Sequence, residues 1–227
     1  MNWRVLCGDC LTEMANFAPG SFDAVITDPP YGNGYYATDK ADSVLPALRS
    51  IPRLVMFGYP ERLVDFCRTA ERTPDEWLCW WPYNAGAKPR PPGALSLRRE
   101  SEHIAVFGMA VSIPMRPTEN PKIAQTFSRS MTVPMGDVWR DASPGIAFQS
   151  HLRQHPNEKP LTLMRRLVAT YTAEGETVLD PFCGSGTTGV ACAELGRDFV
   201  GIEIDPGYVE IARRRIEAAT RQGKLAL

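Results

Sequence analysis

Thr177-Val178-Leu179-Asp180-Pro181-Phe182-Cys183-Gly184-Ser185-Gly186-Thr187-Thr188 begins the segment whose reading decides the fold. Thr177 to Leu179 reads as a short strand ending at a Gly-rich turn, Thr188 to Leu195 as a helix, and Phe199 to Ile204 as the next strand. A strand, a helical crossover and another strand make a parallel unit, because two parallel neighbours need a long connection. Gly184 and Gly186 allow the backbone to approach a ligand closely. Thr187 or Thr188 is expected to cap the helix, whose first N–H groups favour an anion. The spacing is neither Gly-x-Gly-x-x-Gly nor a phosphate loop, since no Lys follows the second glycine. A nucleoside with a small anionic tail therefore suits this turn better than a dinucleotide or a triphosphate. Glu203, 23 residues beyond Asp180, ends the second strand, where an acid can accept ribose hydroxyls.

Working outward, Trp3 to Cys7, Phe22 to Thr27 and Arg53 to Phe57 are short apolar runs that suit buried strands. Trp77 to Trp81 and His103 to Phe107 are two more. Tyr59 to Ala70 places Leu63, Phe66 and Cys67 on one helical face. Leu161, Met164, Val168 and Tyr171 share another face, and Tyr208, Ile211, Ala212, Ile216 and Ala219 a third. The alternation predicts an α/β fold: a doubly wound, mostly parallel sheet with helices on both sides, forming one domain over residues 1–227. Residues 85–156 interrupt it. Ala87 to Gly93 reads Ala-Lys-Pro-Arg-Pro-Pro-Gly, and residues 109–156 show no sustained periodicity. They are read as an irregular insert carrying recognition loops.

The composition, 44% apolar and 22% charged over 227 residues, fits a globular protein. No run of about 18 apolar residues occurs, so no spanning helix and no membrane partner are expected. The start of the chain offers too short an apolar stretch for an export signal, and six scattered Cys suit a reducing, cytoplasmic setting. The net charge of −1 conceals an uneven distribution. Residues 1–85 carry 7 basic and 11 acidic side chains, residues 86–170 carry 12 and 6, and residues 171–227 carry 6 and 9. A basic middle between acidic flanks is what a polyanion-binding protein shows, as is a solvated mixed surface. Arg98, Arg99, Arg116, Lys122, Arg129, Arg140 and Arg153 are the candidate phosphate contacts, with Phe127, Trp139 and Phe148 among them.

Three acids, Asp28, Asp180 and Glu203, each stand at the end of an expected strand. Open α/β sheets bind ligands at that edge. The first acid opens the most specific motif of the chain, Asp28-Pro29-Pro30-Tyr31. Two prolines remove two N–H donors and fix φ, and the residue before each is held extended. The result is a stiff turn offering acceptors only, the Asp28 carboxylate and the Pro29 carbonyl, which suits a planar amino group. Tyr31 adds a face on which a base can stack.

These residues resemble the S-adenosylmethionine-dependent DNA amino-methyltransferases, in the circularly permuted group whose catalytic motif precedes the cofactor loop. The fold implied is the Rossmann-like methyltransferase fold. By this resemblance Asp28, Pro29, Pro30 and Tyr31 form the catalytic motif, and Asp180, Phe182, Cys183, Gly184, Ser185, Gly186 and Thr187 the cofactor loop. Glu203 is the ribose-binding acid, Asp9 and Cys10 lie in the segment beside adenine, and Asp28 and Asp205 are further cofactor residues. Lys159 and Pro160 belong to His155-Pro156-Asn157-Glu158-Lys159-Pro160, the segment that helps to enclose the methionine end. S-adenosylmethionine is the expected cofactor, double-stranded DNA the expected partner and a homodimer an admissible assembly. An aspartate heading the motif implies adenine N6 as the target, with cytosine N4 as the alternative. Trp80-Trp81-Pro82-Tyr83-Asn84 departs from the group by lacking a Lys shortly after its Trp. The rival classes are a non-catalytic DNA-binding regulator that senses the cofactor, and an enzyme acting on RNA or a protein amide. Cys7-x-x-Cys10 has no second pair, and no metal site is expected. Arg213-Arg214-Arg215 is read as the solvated face of the last helix.

Overall fold

The computed structural model describes residues 1–30, 48, 51–81, 102–108, 115–117, 132–134, 138–140 and 158–223. Its strands are β1 (Trp3–Cys7), β2 (Ala24–Thr27), β3 (Arg53–Gly58), β4 (Glu76–Trp81), β5 (Glu102–Phe107), β6 (Met115–Pro117), β7 (Thr132–Pro134), β8 (Val138–Arg140), β9 (Thr177–Asp180) and β10 (Asp198–Glu203). The described helices are α1 (Cys10–Met14), α2 (Pro60–Ala70), α3 (Leu161–Tyr171), α4 (Thr187–Leu195) and α5 (Pro206–Gln222). Eight strands form one sheet in the order β1-β10-β9-β2-β3-β5-β4-β8, and β6 and β7 pair separately. Every pairing in the large sheet is parallel except those of β5, which runs against both β3 and β4.

Alternation along the central strands builds two cores. Val25, Leu54, Met56, Ala105 and Phe107 face one side with Leu63 and Phe66 of α2, and α1 packs there through Leu11 and Met14. Ile26, Val55, Phe57, Ile104 and Val106 face the other side with α3, α4 and α5. Strands covered on both faces read as apolar runs, which is why Ala24 to Ile26 of β2 and Leu54 to Phe57 of β3 are apolar without alternation. α4 has all nine residues buried, since α3, α5 and the sheet surround it. A helix enclosed on every side carries no amphipathic stripe.

The expected elements recur within a few residues of their sequence bounds. There are three differences. β5 is antiparallel to both of its neighbours, so the expectation of a parallel alternation fails at one strand. Within 85–156, β6, β7 and β8 are strands where irregular chain was expected. At three residues each they are too short to show a period, and β8 extends the main sheet by pairing with Cys79, Trp80 and Trp81. α1 was also unexpected, being five residues capped by Asp9. Arg98, Arg99, Lys122, Arg129, Arg153, Phe127, Phe148, His151 and His155 lie outside the described residues, and Arg116, Trp139 and Arg140 lie in β6 and β8. Among the described residues no helix is long and apolar enough to cross a membrane.

Candidate active site

Five parallel strands end on one edge of the sheet, which brings together Gly8-Asp9 after β1, Glu203 on β10, Asp180 on β9, Asp28-Pro29-Pro30 after β2 and Gly58 on β3. β5 runs the other way, so its first residue, Glu102, reaches the same edge. β9 and β2 are neighbours, and their chains leave in opposite directions across the sheet, β9 toward β10 and β2 toward β3. This reversal is where open α/β sheets leave a crevice for a ligand.

The turn after β9 is held from beneath. Asp180 is 4% exposed. Its Oδ1 accepts from Thr27 Oγ1 at 2.9 Å and from the Phe182 amide at 3.2 Å, and its Oδ2 accepts from Thr188 Oγ1 at 2.6 Å. The Thr27 bond ties the Asp28 corner to the glycine turn. Burial pushes the Asp180 carboxyl up to about 6, against the pull of Thr188, Thr27 and the Phe182 amide. The structure corrects the expected cap: Gly186 occupies the N-cap of α4 with no side-chain hydrogen bond, and Thr188 donates to Asp180 instead. Gly186 has φ +81°, and a Cβ there would lie 2.8 Å from the Ala212 Cβ of α5. Helix packing as well as backbone geometry therefore requires this glycine.

A cleft of about 480 Å³ opens between the strand ends. Gly8, Asp9, Cys10 and Leu11 line one wall, Pro30, Pro181 and Phe182 another, and Ile202, Glu203 and Ile204 the third. Of the expected cofactor residues, Asp9, Cys10, Phe182 and Glu203 line it. Gly184 donates its amide to Glu203 Oε2 at 3.0 Å, and the Asp205 amide donates to Oε1 at 2.9 Å. Two backbone amides thus hold the carboxylate against the cleft. Asp205 is exposed and its Oδ1 caps α5 through the amides of Gly207 and Tyr208, so the structure does not bring it to the cleft. Leu11, Pro181 and Ile204 were missed by the sequence reading. Their signal was position alone, each being next to an expected ligand residue.

On the far side of the corner, Lys159 Nζ donates to Asp28 Oδ2 and lies 3.1 Å from Glu102 Oε2. The latter is a charge contact without hydrogen-bond geometry. The Lys159 side chain is 10% exposed, Asp28 19% and Glu102 34%. Nζ stands 5.1 Å above the Phe57 ring, within cation–π reach. Burial works against the ammonium, but Asp28 and then Glu102 outweigh it and raise the Lys159 pKa. Burial pushes the Glu102 carboxyl up, Lys159 pulls against this, and Asp28 adds to the rise. Tyr31 lies outside the described residues.

Arg213 and Arg214 are exposed, as expected of a solvated face, but Arg215 is half-buried and departs from that reading. Its Nη1 donates to Ser185 Oγ at 2.7 Å and to the Ser185 carbonyl at 2.8 Å, and its Nη2 to Glu158 Oε1 at 2.7 Å. Arg213 donates to the Val5 carbonyl at 2.7 Å, and only Arg214 of the three is confined to contacts within its helix. The buried Ser185 and Thr187 therefore face Arg215, while Cys183 is buried among apolar residues. Cys7 and Cys10 are free thiols, and burial, with Asp9 adding, pushes Cys10 up.

The family described as DNA methylase matches residues 82–214, over half of the chain. The Type II methyltransferase M2.DpnII of Streptococcus pneumoniae is 45% identical over 84 residues, which are 37% of this chain and 31% of that one. The M1.HpyAVI–SAM complex superposes with a TM-score of 0.61 at 23% identity, covering 94% of this chain and 99% of the other. The cytosine-N4-specific PvuII DNA methyltransferase superposes with a TM-score of 0.69 at 16% identity, covering 97% and 91%. These two likenesses are of fold, and they establish the Rossmann-like methyltransferase architecture. With a fold and crevice of this kind, the profile match settles the class, and the chain belongs to the DNA methylase family that modifies N6 or N4 amines.

Proposed function

We propose that this protein is a site-specific DNA methyltransferase that moves a methyl group from S-adenosylmethionine to the exocyclic N6 of adenine. The observation that carries the reading is the adjacency of two turns, the acceptor corner at Asp28-Pro29-Pro30 and the glycine turn after Asp180, joined by the Thr27–Asp180 hydrogen bond. The cleft beside them has a lining that suits a nucleoside: its walls at Leu11, Phe182 and Ile204 are apolar, and Glu203 and Asp9 supply acceptors for hydroxyl or amino donors. We assign Asp9, Cys10, Phe182 and Glu203 to the nucleoside, and the turn from Cys183 to Thr187 with Pro160 to the anionic tail. S-adenosylmethionine, when bound, supplies an electrophilic sulfonium methyl.

The chain's own residues then act by position. A base within a duplex cannot present its amino nitrogen to this edge, so it is flipped out at a cost of a few kcal/mol. We assign Tyr31 the stacking that offsets part of this cost. Asp28 and the Pro29 carbonyl accept the two amino hydrogens, which draws the nitrogen lone pair out of ring conjugation. Orientation of this kind is worth roughly 7–11 kcal/mol in favourable cases. Residues 85–156 are assigned to DNA recognition, on their basic charge alone. Cytosine N4 is the second reading, favoured by the fold likeness to a cytosine-N4-specific enzyme. Mass spectrometry of nucleosides from the DNA of cells expressing the chain separates the two. We expect 6-methyladenine; 4-methylcytosine in its place would reassign the base, and neither would sink the reading.

A further inference from the structure

Lys159 entered as a cofactor residue, and its contacts give it a further role. It sits against Asp28 and Glu102. The dipeptide Glu158-Lys159 is fixed on both sides, Glu158 by Arg215 and Lys159 by the two acids, so the ammonium has a defined place rather than a solvent-exposed reach. Glu102 shares the sheet face of Ile104 and lies across from Trp80 in the β4–β5 register. Among the described residues, its Oε2 and the Trp80 Nε1 are both buried without a hydrogen-bond partner.

We propose that Lys159 and Glu102 are positioning residues for Asp28: the ammonium is the shared cation that holds the Asp28 carboxylate and aims it as an acceptor, and Glu102 anchors that ammonium from the opposite side. This rests on the assignment of Asp28 to the target amine. The argument is electrostatic. Among the described residues, the charged groups facing Asp28 are Lys159 before α3, Glu102 at the start of β5 and Asp180 on β9. Three carboxylates at one sheet edge repel one another, and two that share a site hold a proton between them unless a cation intervenes. Protonated Asp28 is a poorer acceptor for an amino hydrogen. The raised Lys159 and Glu102 pKa values agree with this division.

The test measures S-adenosylmethionine affinity by calorimetry, and single-turnover methyl transfer to unmethylated bacterial genomic DNA from pH 5 to 9. Lys159→Met is expected to bind S-adenosylmethionine within about threefold of the parent while transfer near pH 6 falls ~100-fold, the size of losing one electrostatic contact at a reacting centre. Its rate is also expected to gain an acidic limb closer to neutrality than the parent's. Adding Glu102→Gln to Lys159→Met is expected to move that limb back down, because the like charge is gone. Lys159→Arg is expected to restore most of the rate. If Lys159→Met does not fold, Glu102→Gln alone decides, through a downward shift of the parent's own acidic limb. An unmoved limb, or loss of cofactor binding with unaltered transfer, would overturn the proposal. A parent chain that methylates no DNA at all would instead overturn the function proposed above, so the two failures are distinct.

Discussion

Two turns in this protein begin alike. Asp28-Pro29 follows β2 and Asp180-Pro181 follows β9, on adjacent strands of the same sheet edge. Their acids nevertheless meet opposite surroundings. Asp180 is buried, with both oxygens accepting from two threonine hydroxyls and one backbone amide. Asp28 is partly exposed and is held on one oxygen by a lysine. A buried carboxylate surrounded by short donors has little left to offer a ligand and acts as a buckle. A carboxylate that takes a lysine ammonium at a partly exposed strand end is aimed rather than enclosed. The same two-residue signature thus serves as frame at one strand end and is proposed to serve chemistry at the next.

The most direct way to break this comparison is to remove each acid in turn. Asp28→Ala is expected to lower methyl transfer by about 100- to 1000-fold while cofactor affinity stays within a few-fold, read by tritium incorporation into DNA and by calorimetry. Equal turnover in this variant would end the distinction between the two turns.

Much of the frame was legible, and the reason is period. β1, α3 and α5 are long enough, or regular enough, for apolar spacing to show their bounds. The acids at strand ends were legible because parallel strands all point the same way, so a strand's last residue and the ligand edge coincide. Glu102 broke that rule. It is the first residue of an antiparallel strand, and only a reading of strand direction, which single-sequence periodicity does not contain, could have brought it to the edge. Arg215 was hidden for a related reason. In a run of three arginines the helix leaves Arg213 and Arg214 exposed and turns Arg215, half-buried, onto the glycine turn, and the charge count treats them alike. The burial of Asp180 was not legible, because its bond to Thr27, 153 positions away, leaves no local trace.

The second way to sharpen the comparison is stability. Asp180→Ala leaves two buried hydroxyls and one amide without their acceptor, and is expected to cost about 2–4 kcal/mol in urea unfolding. The parent's pH dependence has a matching sign. The folded Asp180 carboxyl titrates near 6, above the roughly 3.9 of an unfolded aspartate. The native state therefore binds the proton more tightly, and this group's contribution falls as pH rises from about 4 to about 6, then levels. The fall is at most ~3 kcal/mol, and it should appear as the difference between the parent and Asp180→Asn unfolding curves. A parent that gains stability relative to Asp180→Asn over that window would place Asp180 among the acids that act ionised.

The smallest effect tests how the two turns are kept in register. Glu158 and Lys159 are consecutive, yet they tether different turns, Glu158 to Ser185 through Arg215 and Lys159 to Asp28. One extended dipeptide thus sets the spacing between a loop proposed to hold the cofactor and a corner proposed to hold the amine. Arg215→Met breaks only the first tether. It is expected to weaken S-adenosylmethionine binding about tenfold, roughly 1.4 kcal/mol, while the rate at saturating cofactor changes little. The Lys159 substitution should show the reverse split. If Arg215→Met instead lowers the saturated rate and spares affinity, the two tethers act as one, and the division between a framing turn and a presenting turn does not extend beyond their acids.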